Sequence, residues 1–336
     1  MSVRVGMVSF AHVHAPAYAA VLRNLDEADF VGIADVDQDR GKEAAERFGV
    51  RYFEDAASLF RVVDAVVVCS ENSNHARDVI PALHDGVHVL CEKPISTTVE
   101  DALAIIDASE TSGSQFRTAF PVRYLPSVVR AREIVRGGSL GRVLAVNGAN
   151  RGTIPGGWFL DPEIAGGALI DHTVHVADLL RWMLDAEVKS VYAEIGSFFG
   201  AEGTDDAAIL TLELEGGPIA QGTFATIDPS WSRGEGYPVK ADVRLRISGT
   251  TGVLDVDPFA RPVRTFDHES RVPSWAYTGE DMNALMLADF LHGVAECEPA
   301  CASGLDGLRA LEIVLAAYAS GKDHEPKAVE RTEPGR

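Results

Sequence analysis

Short apolar runs alternate with amphipathic stretches through the first third of the chain. Val3–Val8, Phe30–Ala34, Asp64–Cys69 and Val87–Cys91 are such runs. The segments around Pro16–Asn24, Asp39–Phe48, Ala76–Leu83 and Val99–Thr111 carry helical spacing between and after them. Continuous apolar strands separated by helices predict a parallel sheet covered on both faces. Such a sheet holds its ligand beyond the carboxyl ends of the strands. Near Phe120-Pro121 the texture changes. A helix around Ser127–Arg136 ends at Gly137-Gly138, and a longer one covers about Ala168–Met183. Period-two alternation follows, clearest in Leu210–Leu214 and Val243–Ile247, and predicts an antiparallel sheet with one covered face. Helices near Met282–Ala295 and Leu305–Ala317 close the pattern, and the charged tail is expected to be loose. The pattern predicts an α/β chain. Residues 1–121 form a Rossmann domain with a doubly wound parallel sheet. Residues 122–321 form an α+β domain on a large, open, mostly antiparallel sheet, and 322–336 form the tail.

Composition narrows the partners. The 336 residues suit two domains, and 46% apolar content fills an ordinary core. A formal charge of −20 argues against nucleic acid and against anionic membrane surfaces. No apolar run approaches the roughly 18 residues of a membrane span. The first strand begins at Val3, which leaves no room for a signal peptide, and a cytoplasmic location with reduced thiols is expected. Cys69 and Cys91 lie in apolar runs, and Cys297 and Cys301 have no second pair beside them, so no metal site is expected.

The turn after the first strand is the place for the glycine-rich dinucleotide fingerprint, whose three glycines give a tight turn, close approach to the pyrophosphate and close helix–strand packing. Here it reads Ser9-Phe10-Ala11-His12-Val13-His14. Ser9 can turn with a negative φ and offer its hydroxyl to a phosphate, and Ala11 adds only one methyl. An imidazole at position 14 does not fit where a helix touches a strand. The helix is therefore expected to start later, near Pro16, with His12 and His14 left in the turn to donate to the pyrophosphate or to reach toward the nicotinamide. No third ligand is evident for a metal held by these two.

Asp35 ends the second strand, where a carboxylate binds the adenosine ribose hydroxyls and disfavours a 2′-phosphate, so NAD is expected over NADP. The plainer alternative is a cap for the next helix, and nearby Arg40 softens the preference. Lys93 ends the fourth strand, in the crevice, before a proline that can hold a cis bond. In the helix after Gly166-Gly167, Asp171, His175 and Asp178 share a face, and His172 points elsewhere. Asp171 with His175 is a usable proton-transfer pair, although such pairs are also structural. A metal held by Asp171, His172 and His175 is disfavoured by their diverging directions.

Taken together, Val87–Ile95 with Glu92-Lys93-Pro94, Arg123-Tyr124-Leu125-Pro126, Trp158 with Asp161-Pro162, Gly166–Asp178 and Ser303–Gly307 resemble the glucose–fructose oxidoreductase, inositol dehydrogenase and MocA (Gfo/Idh/MocA) family over most of the chain. The resemblance implies hydride transfer between NAD(P) and a hydroxyl-bearing carbon of a sugar, polyol or cyclitol. It also implies homo-oligomers, dimer or tetramer, packed through the second sheet. It makes Lys93, Asp171 and His175 the catalytic set: His175 takes the hydroxyl proton, Lys93 bonds the reacting oxygen and Asp171 orients both. Arg123, Trp158 and His172 are the candidate substrate contacts, and a loop at Asp228–Tyr237, with Trp231 and Arg233, carries specificity. Cofactor contacts are expected from Ser9, Phe10, Ala11, His12, His14 and Asp35, from Ser70, Glu71, Asn72 and His75, and from Glu92 and Lys93. The chain departs from the family in its glycine-free turn and in Glu71, which stands where proline is common, near the expected nicotinamide ribose. Two other functions stay open: glycoside cleavage through transient oxidation by held NAD, and a non-catalytic sugar- or nucleotide-binding regulator.

Overall fold

The computed structural model describes all residues except 1, 165, 199–203, 233–240, 259–261, 267–272, 278–280 and 336. Six strands form the first sheet: β1 (Val3–Val8), β2 (Ala28–Ala34), β3 (Arg51–Phe53), β4 (Ala65–Val68), β5 (His88–Cys91) and β6 (Phe116–Thr118). Their order is β3-β2-β1-β4-β5-β6, and every pairing is parallel. The order reverses between β1 and β4, which opens a crevice beyond their carboxyl ends. Helices α1 (Ala15–Leu22), α2 (Gln38–Phe48), α3 (Ala56–Phe60), α4 (His75–His84) and α5 (Val99–Ser112) connect the strands. Pro16 stands in the first turn of α1, where its missing N–H costs nothing. Asp37 caps α2 by accepting from the Asp39 and Arg40 amides, so the capping role considered for Asp35 belongs to its neighbour.

A seven-stranded sheet follows, built from β7 (Val143–Thr153), β8 (Ala186–Gly196), β9 (Ala207–Gly216), β10 (Ile219–Ser232), β11 (Ala241–Gly249), β12 (Val253–Val256) and a closing strand at Lys327–Ala328. All its pairings are antiparallel except β7 with β10. A separate hairpin joins β13 (Pro262–Phe266) to β14 (Pro273–Tyr277), which makes the closing strand β15. Of the last four helices, α6 (Pro126–Arg136), α7 (Ala168–Leu184), α8 (Met282–Glu296) and α9 (Gly304–Asp323), α7 and α9 pack on this sheet. By contrast, α8 returns to the first sheet. Its Met286, Leu287, Phe290 and Leu291 join the buried cluster of Val5, Met7 and Tyr18.

The tail is not loose, contrary to expectation. Helix α9 runs on to Asp323, and Lys327–Ala328 pairs with Ser190 and Val191 of β8. Further on, Arg309 Nη1 donates to the Thr332 carbonyl at 3.0 Å, and the Thr332 amide donates to Glu312 at 2.6 Å. Arg309 and Glu312 are buried charges on α9, and the tail supplies partners that composition alone does not reveal.

Candidate active site

The carboxyl ends of β1 and β5 and the start of α7 surround a cavity of about 560 Å³. His12, His14, Lys93, Asp171, His172 and His175 all line it. Lys93 is buried, is joined to Pro94 by a cis peptide bond, and points its ammonium at α7. Its Nζ makes a charge-assisted hydrogen bond to Asp171 Oδ1 and a longer one to the Asp171 carbonyl at 3.3 Å. Burial alone would raise the Asp171 carboxyl, but Lys93 and His172 outweigh it and hold the group well below the usual carboxylate range. Trp231, on β10, donates Nε1 to Asp171 Oδ2 at 3.3 Å.

His172 does not point away. Its Nε2 lies 3.4 Å from Asp171 Oδ2. The cause is Asn150 of β7, whose carbonyl takes His172 Nδ1 at 2.9 Å while its amide donates to the His172 carbonyl at 3.0 Å. That reciprocal clasp fixes the ring, and the Asp171 side chain reaches across to it. The expected Asp171–His175 pair is not formed. Asp171 is shared among Lys93, His172 and Trp231, and His175 Nδ1 has no hydrogen-bond partner among the described residues. Burial keeps the His175 pKa well below 6.5, so the ring is neutral and can accept a proton.

The glycines before α7 have a definite task. Gly167 has φ +103°, and a Cβ there would stand 2.4 Å from Asp205 Oδ1. The space admits Asp205, whose carboxylate accepts from the Leu169 amide at 2.6 Å and whose carbonyl accepts from the Ala168 amide at 3.0 Å. Asp205 thus caps α7 from outside it.

Two expected substrate contacts serve other ends. Arg123 is buried away from the cavity. It pairs with Asp178, lies 3.1 Å from Asp306 and donates to the Cys301 carbonyl at 2.6 Å. An aspartate buried on α7 requires such a partner, so Arg123 and Asp178 fasten α7 to the 3-10 turn Pro121–Tyr124. Trp158 stacks on Phe159 at 3.9 Å and donates Nε1 to the Ala11 carbonyl at 2.9 Å. It therefore clamps the second part of the chain onto the turn after β1, and Phe159, not Trp158, faces the cavity. Of the proposed specificity loop, Asp228–Ser232 continues β10 with Trp231 buried, and Arg233–Tyr237 lie outside the described residues.

The turn itself differs from expectation at Ser9, whose φ is +67° rather than negative. The serine thus takes the left-handed conformation that glycine normally supplies. Its hydroxyl is already engaged, accepting from Ala11 N at 3.2 Å and from Arg40 Nη2 at 3.3 Å. The Phe10 amide donates to Asp35 Oδ2 at 2.7 Å. Arg40 Nε and Nη2 hold the two Asp35 oxygens at 2.8 and 2.7 Å. Arg40 also lies 3.9 Å from Glu71, which accepts from Asn74 at 3.0 Å. Ser70 and Asn72 are buried beside this loop. His75 is fully buried too, with its ring nitrogens 2.8 and 3.3 Å from the carbonyls of Pro94 and Ser70, so it braces the loop against the Lys93–Pro94 turn.

Sequence spacing offers His12 and His14 no third ligand, but the fold does. Glu92 Oε1 lies 2.9 Å from His14 Nδ1 and 3.7 Å from His12 Nδ1. Burial would raise the Glu92 carboxyl, but the two imidazoles and Lys93 hold it well below its ordinary value. A dinucleotide fits this frame. Asp35 closes β2 beside a recess of about 180 Å³ lined by Ser9 and Arg77, and the larger cavity continues from His12 and His14 to Asp171.

Residues 3–120 match the oxidoreductase family with an NAD-binding Rossmann fold, and residues 128–255 match the GFO/IDH/MocA C-terminal domain. The chain belongs to the Gfo/Idh/MocA family. It is a nicotinamide-dependent oxidoreductase acting on CH–OH groups. The myo-inositol 2-dehydrogenase of Thermotoga maritima is 28% identical over 339 residues, covering 96% of this chain and 97% of the relative. Two solved structures share the fold. GenD2 from gentamicin A biosynthesis, in complex with NAD, has a TM-score of 0.87 at 23% identity, covering 98% of this chain and 97% of its own. A levoglucosan dehydrogenase, in complex with NADH and levoglucosan, has a TM-score of 0.81 at 22% identity, covering 99% and 100%. Asn150 and Asp205 escaped sequence reasoning because they come from the second sheet and its connections, where no spacing links them to α7; Trp231 is expected in a specificity loop, and its contact with Asp171 is what the sequence does not show.

Proposed function

We propose that this family member transfers a hydride between NAD and a secondary alcohol or ketone of a sugar, polyol or cyclitol. The observation that carries the reading is the convergence of Lys93, Asp171, His172 and His175 on one cavity beyond β5. The nicotinamide supplies the hydride acceptor. His175, neutral and with a free nitrogen, takes the hydroxyl proton. Lys93 donates to the reacting oxygen and stabilises the charge that develops there. Asp171 keeps Lys93 charged and aimed, and His172 with Trp231 keeps Asp171 in place. On the cofactor side, Asp35 takes the adenosine ribose once Arg40 yields one of its hydrogen bonds, and this favours NAD over NADP. The turn from Ser9 to His14, the loop at Ser70–Asn72 and Glu92 flank the rest of the cofactor. The face of the second sheet opposite its helices exposes Leu144, Ile209 and Phe224, an apolar surface that suits homo-oligomers.

The test is a panel of sugars, polyols and cyclitols assayed with NAD and with NADP, following nicotinamide absorbance. Turnover with NAD on at least one of them, lost in Lys93→Met, supports the reading. Binding of NAD with no turnover across the panel argues for a regulator instead, and recycling of held NAD without net absorbance change argues for transient oxidation.

A further inference from the structure

We propose that His12, His14 and Glu92 form a site for a zinc-class divalent cation, with its fourth position open to the cavity, where it takes a diphosphate oxygen of the cofactor. Two imidazole nitrogens and a carboxylate oxygen are the donor set of an open, three-ligand zinc site. The three donor atoms lie within 4.8 Å of one another. Donors on one ion at 2.0–2.2 Å, at angles of 90–120°, stand about 2.8–3.8 Å apart. The Glu92 Oε1 distances to His14 Nδ1 and His12 Nδ1, 2.9 and 3.7 Å, fall in that range.

The protonation pattern points the same way. The His14 amide donates to His12 Nδ1 at 3.2 Å, so that nitrogen carries a lone pair, which it presents 3.7 Å from a carboxylate oxygen. An ion between them replaces the amide contact and removes the opposition of two acceptors. His12 Nε2 is buried and has no hydrogen-bond partner among the described residues, so the ring is not committed by its other side. Charge also agrees. Glu92 and Asp171 bury two carboxylates around a single ammonium, Lys93.

His12 and His14 open onto the cavity, and Glu92 closes the site from behind. The ion therefore faces the place where glycine amides ordinarily meet the pyrophosphate, and it restores there a positive charge that a glycine-free turn lacks. This second part rests on the cofactor reading above.

The test uses the full chain stripped with EDTA. Zinc is titrated in competition with a chromophoric chelator, with cobalt as a spectroscopic substitute, in the absence of NAD. One equivalent is expected in the wild type, weakened by at least about 100-fold in His14→Ala, because loss of a ligand exceeds the 10–100-fold effect of outer partners. If His14→Ala does not fold, His14→Gln keeps a polar partner for Glu92 without an imidazole nitrogen. Absence of a stoichiometric site, or equal affinity in the variant, overturns the metal site. NAD affinity is then measured with and without zinc. A gain of about tenfold, matched by an equal gain in zinc affinity when NAD is present, is the expected linkage. Zinc binding with unchanged NAD affinity overturns the diphosphate role, and failure to bind NAD both with and without zinc counts against the cofactor reading alone.

Discussion

The two walls of the cavity are built in opposite ways. The wall on α7 is helical, capped by Asp205 and clasped by Asn150, and its charged groups are matched: Lys93 faces Asp171, and His172 and Trp231 hold the second oxygen. The wall on the turn after β1 is irregular backbone. It crowds two imidazoles around one buried carboxylate, and His12 Nε2, like His175 Nδ1 on the other wall, has no partner among the described residues. A matched buried set fixes geometry, which hydride transfer needs. An unmatched one is poised to receive something, which a binding turn needs. The same cavity thus separates positioning from reception, and each wall can be broken on its own.

The largest effect is expected on the matched wall. Lys93→Met should lower turnover by about 10³-fold, since it removes both a donor to the reacting oxygen and the counter-charge of Asp171. It should also cost about 3 kcal/mol of stability, because Asp171 is left buried with a weaker set of partners. Steady-state kinetics and chemical denaturation read the two losses separately. Lost stability with retained turnover would make the ion pair structural.

Next comes Arg123, which supports this wall from behind. Arg123→Ala strands Asp178, and breaking such a buried pair costs about 3–5 kcal/mol. The folded fraction should keep its KM. A KM rise of about tenfold at unchanged stability would return Arg123 to the substrate pocket.

The two histidines of α7 sharpen the comparison further. His175→Gln should cost about 100-fold in kcat, and His172→Gln about tenfold, because in the proposed mechanism the first accepts the proton and the second only seats Asp171. The pH profile gives an independent sign. The His175 pKa is depressed, so its base form persists as pH falls, and the oxidation rate should stay level down to 6.5 and decline only below it. Stability follows the same sense. His12, depressed to about 3, and His75, His172 and His175 are all buried neutral. Their contribution is complete above 6.5, the unfolded value, and is lost as pH falls below it. Tm measured across that range checks the direction.

How far these features can be read from sequence depends on what carries them. Strands β1, β2, β4 and β5 announce themselves as continuous apolar runs because both faces are covered. Strands β3 and β6 have three residues each, too few to show a period. Lys93, Asp171 and His175 are legible through position at a strand end and through helical spacing together with family resemblance. His172 was misplaced because spacing on a helix fixes where a side chain leaves the backbone, not where Asn150 of another element draws it. Arg123 and Trp158 sit in recognisable motifs, yet a motif does not say whether a residue faces the cavity or its frame. The Glu92–His14 contact joins positions 78 apart, and no local pattern encodes it.

The smallest expected effect lies at the far end of the receptive wall. Asp35 gives both oxygens to Arg40, and it also holds the Phe10 and Asp37 amides. A ribose hydroxyl arriving there competes with an arginine already seated, so the gain from binding is modest. Asp35→Ser should weaken NAD by about tenfold, the worth of one hydrogen bond to a charged group. It should also strengthen NADP, because removing the carboxylate leaves Arg40 free to meet a 2′-phosphate. Titration of both nucleotides against the wild type and the variant measures the ratio. If the ratio does not move, the Asp35–Arg40 pair shapes the turn through the Phe10 amide alone. The receptive wall would then end at His12 and His14, short of the adenosine.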